Sequence, residues 1–371
     1  MGIRSTLGKN LTGLLSLNNT SDIGSTADNV LPILASGGTG IQTTGHDGKS
    51  TNYQVFTEPG HFRLGPAAVG TGKTFTVLLV AGGGSGGGSY YAGGAGGGEV
   101  AYGADVEFPL AEGYEWKVEV GQGGLLCPAN PSVQYHGGTN GGDTRFYPTI
   151  NYTPSRLNDR TIGIITDYRY NVGLGSTGVI ALGGGGSGTY SSNNSMYGNH
   201  GGSAGGQSYY NPEPIWPSRN TKTNGRGYDH QYIYYGTSSA PGSSAGGGGG
   251  AGASGSGKTG GAGKPFEDMG SPYILPAIPS PVRDSFHAVV GSSGLYGGGG
   301  GSGSVATPGG AATGGDGPGG PGGGGAGAFV HAPAQPGVDC TGGGGGGGDY
   351  PGANTGAGGS GIVIIKYINQ P

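Results

Sequence analysis

The chain has 371 residues, of which 96 are glycine and 24 proline, while charged residues make up only 10% and the net charge is −4. Each interior glycine costs a helix about 1 kcal/mol relative to alanine, which disfavours a helical bundle or a TIM barrel. The glycines follow no strict three-residue repeat, which excludes collagen. The near-neutral charge predicts no nucleic-acid partner. No apolar run approaches the roughly 20 residues that a spanning helix needs, so we expect no membrane insertion.

The first 62 residues have a conventional mixture of leucine, threonine, asparagine and serine. Residues 5–17 predict a short helix weakened by two glycines, and 30–35 and 53–57 predict short strands. We therefore expect two regions. Residues 1–62 form an N-terminal attachment segment, and residues 63–371 form a glycine-rich head domain.

Strand patterns then bracket the rest of the chain. Residues 73–81 are apolar on both faces, as in a strand covered on both sides, and 116–120 alternate strictly, as in a strand with one wet face. The final segment, 361–368, is a further run of β-branched residues. We expect 73–81 and 361–368 to meet in a small β-sandwich-like base. Weaker strand signals lie at 99–102, 106–108, 161–166 and 179–182.

Glycine runs dominate from about residue 183 to residue 360. Glycine readily adopts the extended, three-residue-per-turn geometry of polyproline II. Neighbouring helices of this kind can bond laterally through their backbones and so satisfy polar groups without a side-chain core. The fold class predicted is therefore mostly β with little or no α-helix, in which a packed polyglycine-II array extends from the sandwich. Long loops are expected at the interruptions, about 125–160, 189–240 and 264–296.

Several matches to catalytic motifs are explained by the glycine content. Gly252–Thr259 fits the phosphate-binding pattern G-x-x-x-x-G-K-[ST], and 67–74 fits a relaxed version. A phosphate cradle needs a preceding strand and a following helix, and neither match has both. The histidines have no zinc-ligand spacing. We expect no cofactor, no metal and no enzymatic activity, and the pairing of Cys127 with Cys340 stays open.

Aromatic residues concentrate in the interruptions, among asparagine, serine and glycine. Tyrosine in that company is typical of recognition loops, because it offers rigid amphipathic contact area. An alternative of equal weight is that these rings pack between loops and cover the array. The candidate receptor-binding residues are Tyr209, Tyr210, Trp216, Tyr228, Tyr232, Tyr234, Tyr235 and Tyr273.

Two segments resemble the glycine-rich domain of bacteriophage tail-fibre and adhesin proteins. They are Thr-Phe-Thr-Val-Leu-Leu-Val-Ala-Gly-Gly-Gly at 74–84 and Gly-Ser-Gly-Ile-Val-Ile-Ile-Lys-Tyr at 359–367. Residues 137–146 are similar to the internal repeat of that family. Residues 31–44, which contain Gly-Gly-Thr-Gly, are similar to a segment that recurs in phage tail fibres. The likeness covers roughly 73–367, and the long tyrosine-rich interruptions depart from the common pattern.

The resemblance implies a virion protein, in a tail fibre or another exterior component, whose loops bind the host cell surface. Its partners would be other virion or tail proteins through residues 1–62, and a host glycan or outer-membrane protein through the loops. A homo-trimer and a single cap on a trimeric shaft both fit. The alternative hypothesis is a structural virion component, such as a decoration, collar or baseplate protein, without receptor contact.

Overall fold

Two antiparallel β-sheets form the base of the protein in a computed structural model. The structure describes residues 33–36, 38–64, 74–88, 92–107, 115–127, 137–148, 179–189, 198–199, 201–206, 227–228, 231–234, 245–303, 317–329, 332–348 and 355–368. The strands are β1 (Ile33–Ser36), β2 (Thr39–Thr44), β3 (Ser50–Phe56), β4 (Gly60–Leu64), β5 (Thr74–Val80), β6 (Val100–Glu107), β7 (Glu115–Glu119), β8 (Thr144–Pro148), β9 (Val179–Ala181), β10 (Gly227–Tyr228), β11 (Gln231–Tyr234), β12 (Lys264–Pro265), β13 (Leu295–Tyr296) and β14 (Ile362–Ile368). Two short helices, α1 (Ser271–Ile274) and α2 (Arg283–Val290), complete this part of the chain. The prediction of a mostly β fold with little helix is confirmed.

The strand order explains how the two ends of the glycine-rich region come together. One sheet has the order β1-β4-β7-β8-β9 and the other β10-β11-β6-β5-β14-β3-β2, while β12 and β13 form a separate pair. β14 lies between β5 and β3 and pairs antiparallel with both, so that Ile364 is opposite Leu78 on one side and Val55 on the other. The two strands expected to bracket the glycine-rich region are therefore neighbours.

The first apolar core lies between the two sheets. Phe56 and Phe75 from the seven-stranded sheet and Phe62, Trp116 and Phe146 from the five-stranded sheet are all buried in it. The rings of Trp116 and Phe146 stack with centroids 4.9 Å apart. Alternate residues of β7 face this core and solvent, as its sequence pattern predicts. The base is thus a β-sandwich.

The expected boundary at residue 62 falls inside this sandwich. β2, β3 and β4 span residues 39–64 and belong to the two sheets. Tyr53 and Val55 of β3 are buried on one face of their sheet and Phe56 on the other, so these strands cannot be separated from the base. Of the expected attachment segment, the described residues 33–36 and 38–62 belong to the sandwich. The predicted helix at 5–17 and the predicted strand at 161–166 lie outside the described residues.

The interruption at 264–296 is a helical cap, not the long loop expected from sequence. It covers the outer face of the seven-stranded sheet and forms a second apolar core with it. Phe286 and Val290 are one helical turn apart on α2 and both point into this core. α2 ends at Val290, and the next residue, Gly291, has a φ of 55°, a conformation that favours glycine. The cap residues that enter the second core are Phe266, Met269, Ile274, Ile278, Phe286, Val290 and Tyr296.

Two polar contacts, made by Tyr53 and Lys366, fasten the cap to the sheet, and a third, made by Tyr296, lies within the cap. The Tyr53 hydroxyl donates to the carbonyl of Asp268 at 3.0 Å, and the Tyr296 hydroxyl donates to the carbonyl of Met269 at 2.8 Å. Lys366 Nζ lies 3.0 Å from the Asp268 carboxylate. Burial raises the pKa of Tyr296 well above its usual value, so its hydroxyl keeps its proton and its role as donor.

Removing the Tyr296 hydroxyl should therefore weaken the cap. We expect Tyr296→Phe to lower the free energy of unfolding by about 1–2 kcal/mol, because the buried carbonyl of Met269 loses its donor. Tyr147→Phe is the matched control, since its hydroxyl bonds Glu119 on a partly exposed surface. Chemical denaturation of both variants measures the two changes. If Tyr296→Phe and Tyr147→Phe lose equal free energy of unfolding, the hydroxyl of Tyr296 does not stabilise the cap.

The glycine segments continue directly from the strands of the sandwich. Residues 81–88 follow β5, 92–99 precede β6, 182–189 follow β9 and 355–361 precede β14. All of these junctions lie at one end of the sheets, as hydrogen bonds between Ala81 and Glu99 and between their neighbours show. The glycine array is therefore an extension of the sandwich along its strand direction.

Hydrogen bonds in the array repeat every three residues. Within residues 82–87, the amide of Gly82 donates to Gly142 at 3.0 Å, and the amide of Ser85 donates to Thr139 at 2.9 Å. Successive bonds to one neighbour are thus three residues apart on both segments. This is the lateral bonding expected of packed helices with three residues per turn.

Each central segment bonds to several neighbours at once. Residues 82–87 are surrounded by six segments, of which three accept hydrogen bonds from its amides and three donate to its carbonyls. Nearly every backbone group of the segment is satisfied without a side chain. The accepting segments are 92–99, 137–143 and 355–361, and the donating segments are 120–127, 182–189 and 342–348.

Close packing of these backbones is what requires glycine. A Cβ added to Gly86 would collide with the carbonyl oxygen of Gly346, and one added to Gly346 would collide with that of Ala326.

The array also begins about 100 residues earlier than the expected start near 183, because residues 81–99 already belong to it. Their short glycine runs sit beside strong strand patterns, which concealed them in the sequence.

Candidate functional site

The end of the array away from the sheets gathers chain connections from distant parts of the sequence. Gly348 donates to Gly87 at 2.9 Å and Gly303 to Ala92 at 3.0 Å, at the ends of these segments that are farthest from the sheets. We name this end the distal rim. Seven pairs of described segment ends lie there: 88 and 92, 127 and 137, 189 and 198, 206 and 245, 303 and 317, 329 and 332, and 348 and 355.

An apolar groove of about 430 Å³ opens at the distal rim. Leu126 forms part of its wall with 56% of its surface exposed, and the adjacent Leu125 is 75% exposed. The two adjacent leucines form a small exposed apolar patch beside the groove, which makes this part of the rim a candidate contact surface. The lining residues are Leu126, Cys127, Pro333, Ala334, Pro336, Thr355 and Ala357.

The polar atoms in the groove wall are engaged within the protein. The Thr355 hydroxyl oxygen accepts from the amide of Cys127 at 3.2 Å, and the Cys127 thiol donates to the carbonyl of Gly137 at 3.2 Å. Burial raises the pKa of the Cys127 thiol, which therefore stays protonated and is a poor nucleophile. The groove is suited to apolar contact and not to covalent chemistry.

The sequence-predicted receptor residues are distributed over separate places. Tyr228 lies on β10, and Tyr232 and Tyr234 lie on β11, which pairs with β6 at the edge of the seven-stranded sheet. Tyr273 lies on α1, half-buried in the cap, with its ring parallel to that of Tyr53 at 6.0 Å. Tyr209, Tyr210, Trp216 and Tyr235 lie outside the described residues.

The segment that matches the phosphate-binding motif is a tight turn. The amide of Ser256 donates to Thr259 at 3.0 Å, the amide of Thr259 returns a bond to Ser256 at 2.9 Å, and Gly257 has a φ of 56°. The segment leads into the glycine residues of 260–263, not into a helix. Since two of its amides already bond to its own carbonyls, the geometry of a phosphate cradle is not formed.

The two cysteines are unpaired and lie at opposite ends of the array. Cys127 borders the groove at the distal rim, while Cys340 is buried in the second core beside the sheet. Burial raises the pKa of Cys340 to about 12. The pairing left open by the sequence is thus resolved as two buried thiols.

The described part of the chain holds neither a candidate metal centre nor a candidate membrane-spanning helix. No group of three histidine, cysteine or acidic residues there is arranged to hold a metal ion. Among the same residues, none of the helices is long and apolar enough to cross a membrane.

Two carboxyl groups sit at the junction between sheet and array. Glu99 Oε2 accepts from the amide of Leu182 at 2.7 Å, and Asp143 Oδ1 accepts from the amide of Gly183 at 3.1 Å. Asp143 is also paired with Arg145, at 3.0 Å. Glu99 is only 3% exposed, and burial raises its pKa to about 8. Its carboxyl is therefore largely neutral at pH 7, enclosed and structural.

The outer face of the five-stranded sheet carries paired charges. Glu115 lies 2.7 Å from both His61 and Arg63, and Glu119 lies 2.7 Å from Lys117. These side chains are partly exposed, so the pairs contribute little to stability. The face resembles the solvated side of an ordinary antiparallel sheet.

Comparison with known proteins places the chain in a family. The family model described as a glycine-rich domain matches residues 57–368, from the turn after β3 to the end of β14. The chain therefore belongs to this glycine-rich domain family. No curated protein matches it.

Proposed function

We propose that this glycine-rich domain protein is a bacteriophage tail-fibre or adhesin-type virion protein that binds the host cell surface with its distal rim. One observation carries the proposal: seven pairs of described segment ends lie at the end of the array opposite the sandwich. A scaffold that gathers the ends of so many segments in one place is suited to forming a contact surface there.

The construction of the array supports such a display role. Its segments are held together through backbone hydrogen bonds, as between Gly84 and Gly96 at 2.9 Å. The position of these segments therefore depends on backbone contacts and little on side chains. Binding residues are commonly found on loops placed by a rigid framework.

The groove supplies the described part of the binding surface. Full burial of a leucine side chain contributes about 1.5–3 kcal/mol. Leu125 and Leu126 can provide this on contact with apolar side chains of an outer-membrane protein or with the apolar face of a glycan ring. The candidate tyrosines of β10 and β11 lie on strands at the edge of the seven-stranded sheet, which we propose as a second place of contact.

The sandwich end is the natural side for attachment to the virion. β1 is the outermost strand of the five-stranded sheet, and residues 1–32 precede it. We assign these residues to contact with other tail proteins, which leaves the distal rim facing outward.

Replacing the rim leucines tests the proposal. We expect the double variant Leu125→Ser, Leu126→Ser to reduce binding of the purified protein to host cells by at least about tenfold, because apolar contact area is lost. Leu182→Ser is the matched control: Leu182 is 40% exposed, but it lies at the sheet end of the array. If the natural protein, the double variant and the Leu182→Ser control bind host cells equally, the distal rim is not the binding surface.

A second set of variants tests the tyrosine edge. We expect the combined replacement of Tyr232, Tyr234 and Tyr235 by serine to lower adsorption further when it is added to the rim variant. If virions with every replacement assemble and adsorb normally, the structural alternative is favoured, in which the chain only joins other virion proteins.

A further inference from the structure

β2 is an edge strand with an open side. In the seven-stranded sheet it pairs with β3 alone, and within the described residues no strand covers its other side. Natural proteins usually blunt such edges with short strands, prolines or lysines. β2 has six residues, Thr-Gly-Ile-Gln-Thr-Thr, with neither a proline nor a charge.

The ladder between β2 and β3 shows which backbone groups point outward. Gly45 donates to the carbonyl of Lys49 at 2.8 Å, so this pair is hydrogen-bonded. Bonded and non-bonded pairs alternate in an antiparallel ladder, which turns the N–H and C=O groups of Gly40, Gln42 and Thr44 away from β3. All three residues are exposed.

We infer that β2 pairs antiparallel with β2 of a second copy of this chain, centred on Gln42. In that register Gln42 faces its own counterpart, and Gly40 faces Thr44 of the other copy. The outward groups then form about six hydrogen bonds between the chains. The edge complements itself, and no charged side chain of β2 is brought opposite another.

The pairing fixes the shape of the dimer. β2 runs parallel to β14, whose first residue adjoins the array, so the array lies at the Thr39 end of β2. An antiparallel pair therefore directs the two arrays to opposite ends of one continuous sheet. The pairing is one of the free protein and does not depend on what the distal rim binds, because a chain fixed to a fibre with its rim outward cannot keep a partner whose rim points the other way.

Charge replacement at the centre of the pair provides the test. Gln42→Lys and Gln42→Glu each place like charges directly opposite one another, which destabilises an antiparallel pair. We expect sedimentation velocity to show a dimer for the natural full-length chain and for Gln42→Thr. Each charged variant should dissociate at least about tenfold more readily, and a mixture of the two should restore the dimer.

Unchanged thermal unfolding of the charged variants will show that they are folded, as expected for an exposed side chain on an edge. A natural chain that is a monomer or a trimer would overturn the inference, as would a mixture that fails to restore association. These outcomes leave the cell-binding comparison of the rim variants unaffected.

Discussion

Gly346→Ala will destabilise the protein by at least about 3 kcal/mol, the upper range for overpacking, because the surrounding groups are backbone atoms that cannot rotate away. The added methyl group would collide with the carbonyl of Ala326. Gly346 also donates to Gln335 at 3.0 Å and accepts from Gly356 at 2.9 Å, so a shift of the segment would break these bonds. Thermal and chemical unfolding measure the loss.

Gly137→Ala is the matched control for this substitution. A Cβ at Gly137 would have the carbonyl of Ser187 as its nearest neighbour, at an ordinary contact distance of 3.5 Å. We expect little change in stability there. If both variants are equally stable, close backbone packing is not what holds the array together.

The second large effect concerns the pH dependence of stability at Glu99. Its folded-state pKa is raised from 4.5 to about 8 by burial, so the folded protein holds a proton that the unfolded chain releases. The contribution of this group to stability is full below about pH 4.5 and is lost as the pH rises towards 8. Between those values the free energy of unfolding should fall by about 1.4 kcal/mol for each pH unit.

Glu99→Gln isolates this contribution. The amide oxygen of glutamine can still accept from Leu182, but the side chain does not ionise. We expect the variant and the natural protein to have similar stability near pH 4 and the variant to be the more stable above pH 8. If the free energies of unfolding of the variant and the natural protein change in parallel between pH 4 and pH 8, Glu99 is not the group that causes the pH dependence of stability.

The sequence predicts the base of the fold because its signals are local and strong. β5 and β14 are apolar on both faces, and a strand of that kind needs cover on both sides. The strict alternation of β7 likewise reports one buried face. The glycine runs predict the array because a backbone without side chains has few ways to be satisfied other than lateral bonding.

The cap was missed because its helical signal is broken into pieces. Phe286 and Val290 have helical spacing, but prolines at 276, 279 and 281 divide the segment into short turns. What orders the segment is the outer face of a sheet built from distant strands, and that partner is not visible locally. Without that partner in view, the density of prolines in the segment predicts a loop.

The candidate site was predictable only in outline. Display by loops between glycine segments follows from the pattern of interruptions, but which connections meet is set by the three-dimensional array. Leu125 and Leu126 carried one signal, since adjacent leucines stand next to Gly123 and Gly124 in a polar region. Their exposure depends on how 120–127 packs beside 355–361, which sequence spacing does not reveal.

The central claim is that the distal rim faces the host. A cryo-electron microscopy map of the virus particle that carries this chain, with the structure fitted into it, tests the claim most directly. We expect the protein at the tip of a fibre, with the sandwich towards the particle and Leu125 and Leu126 on the outer surface. A position in which the rim is enclosed by other virion proteins would contradict it.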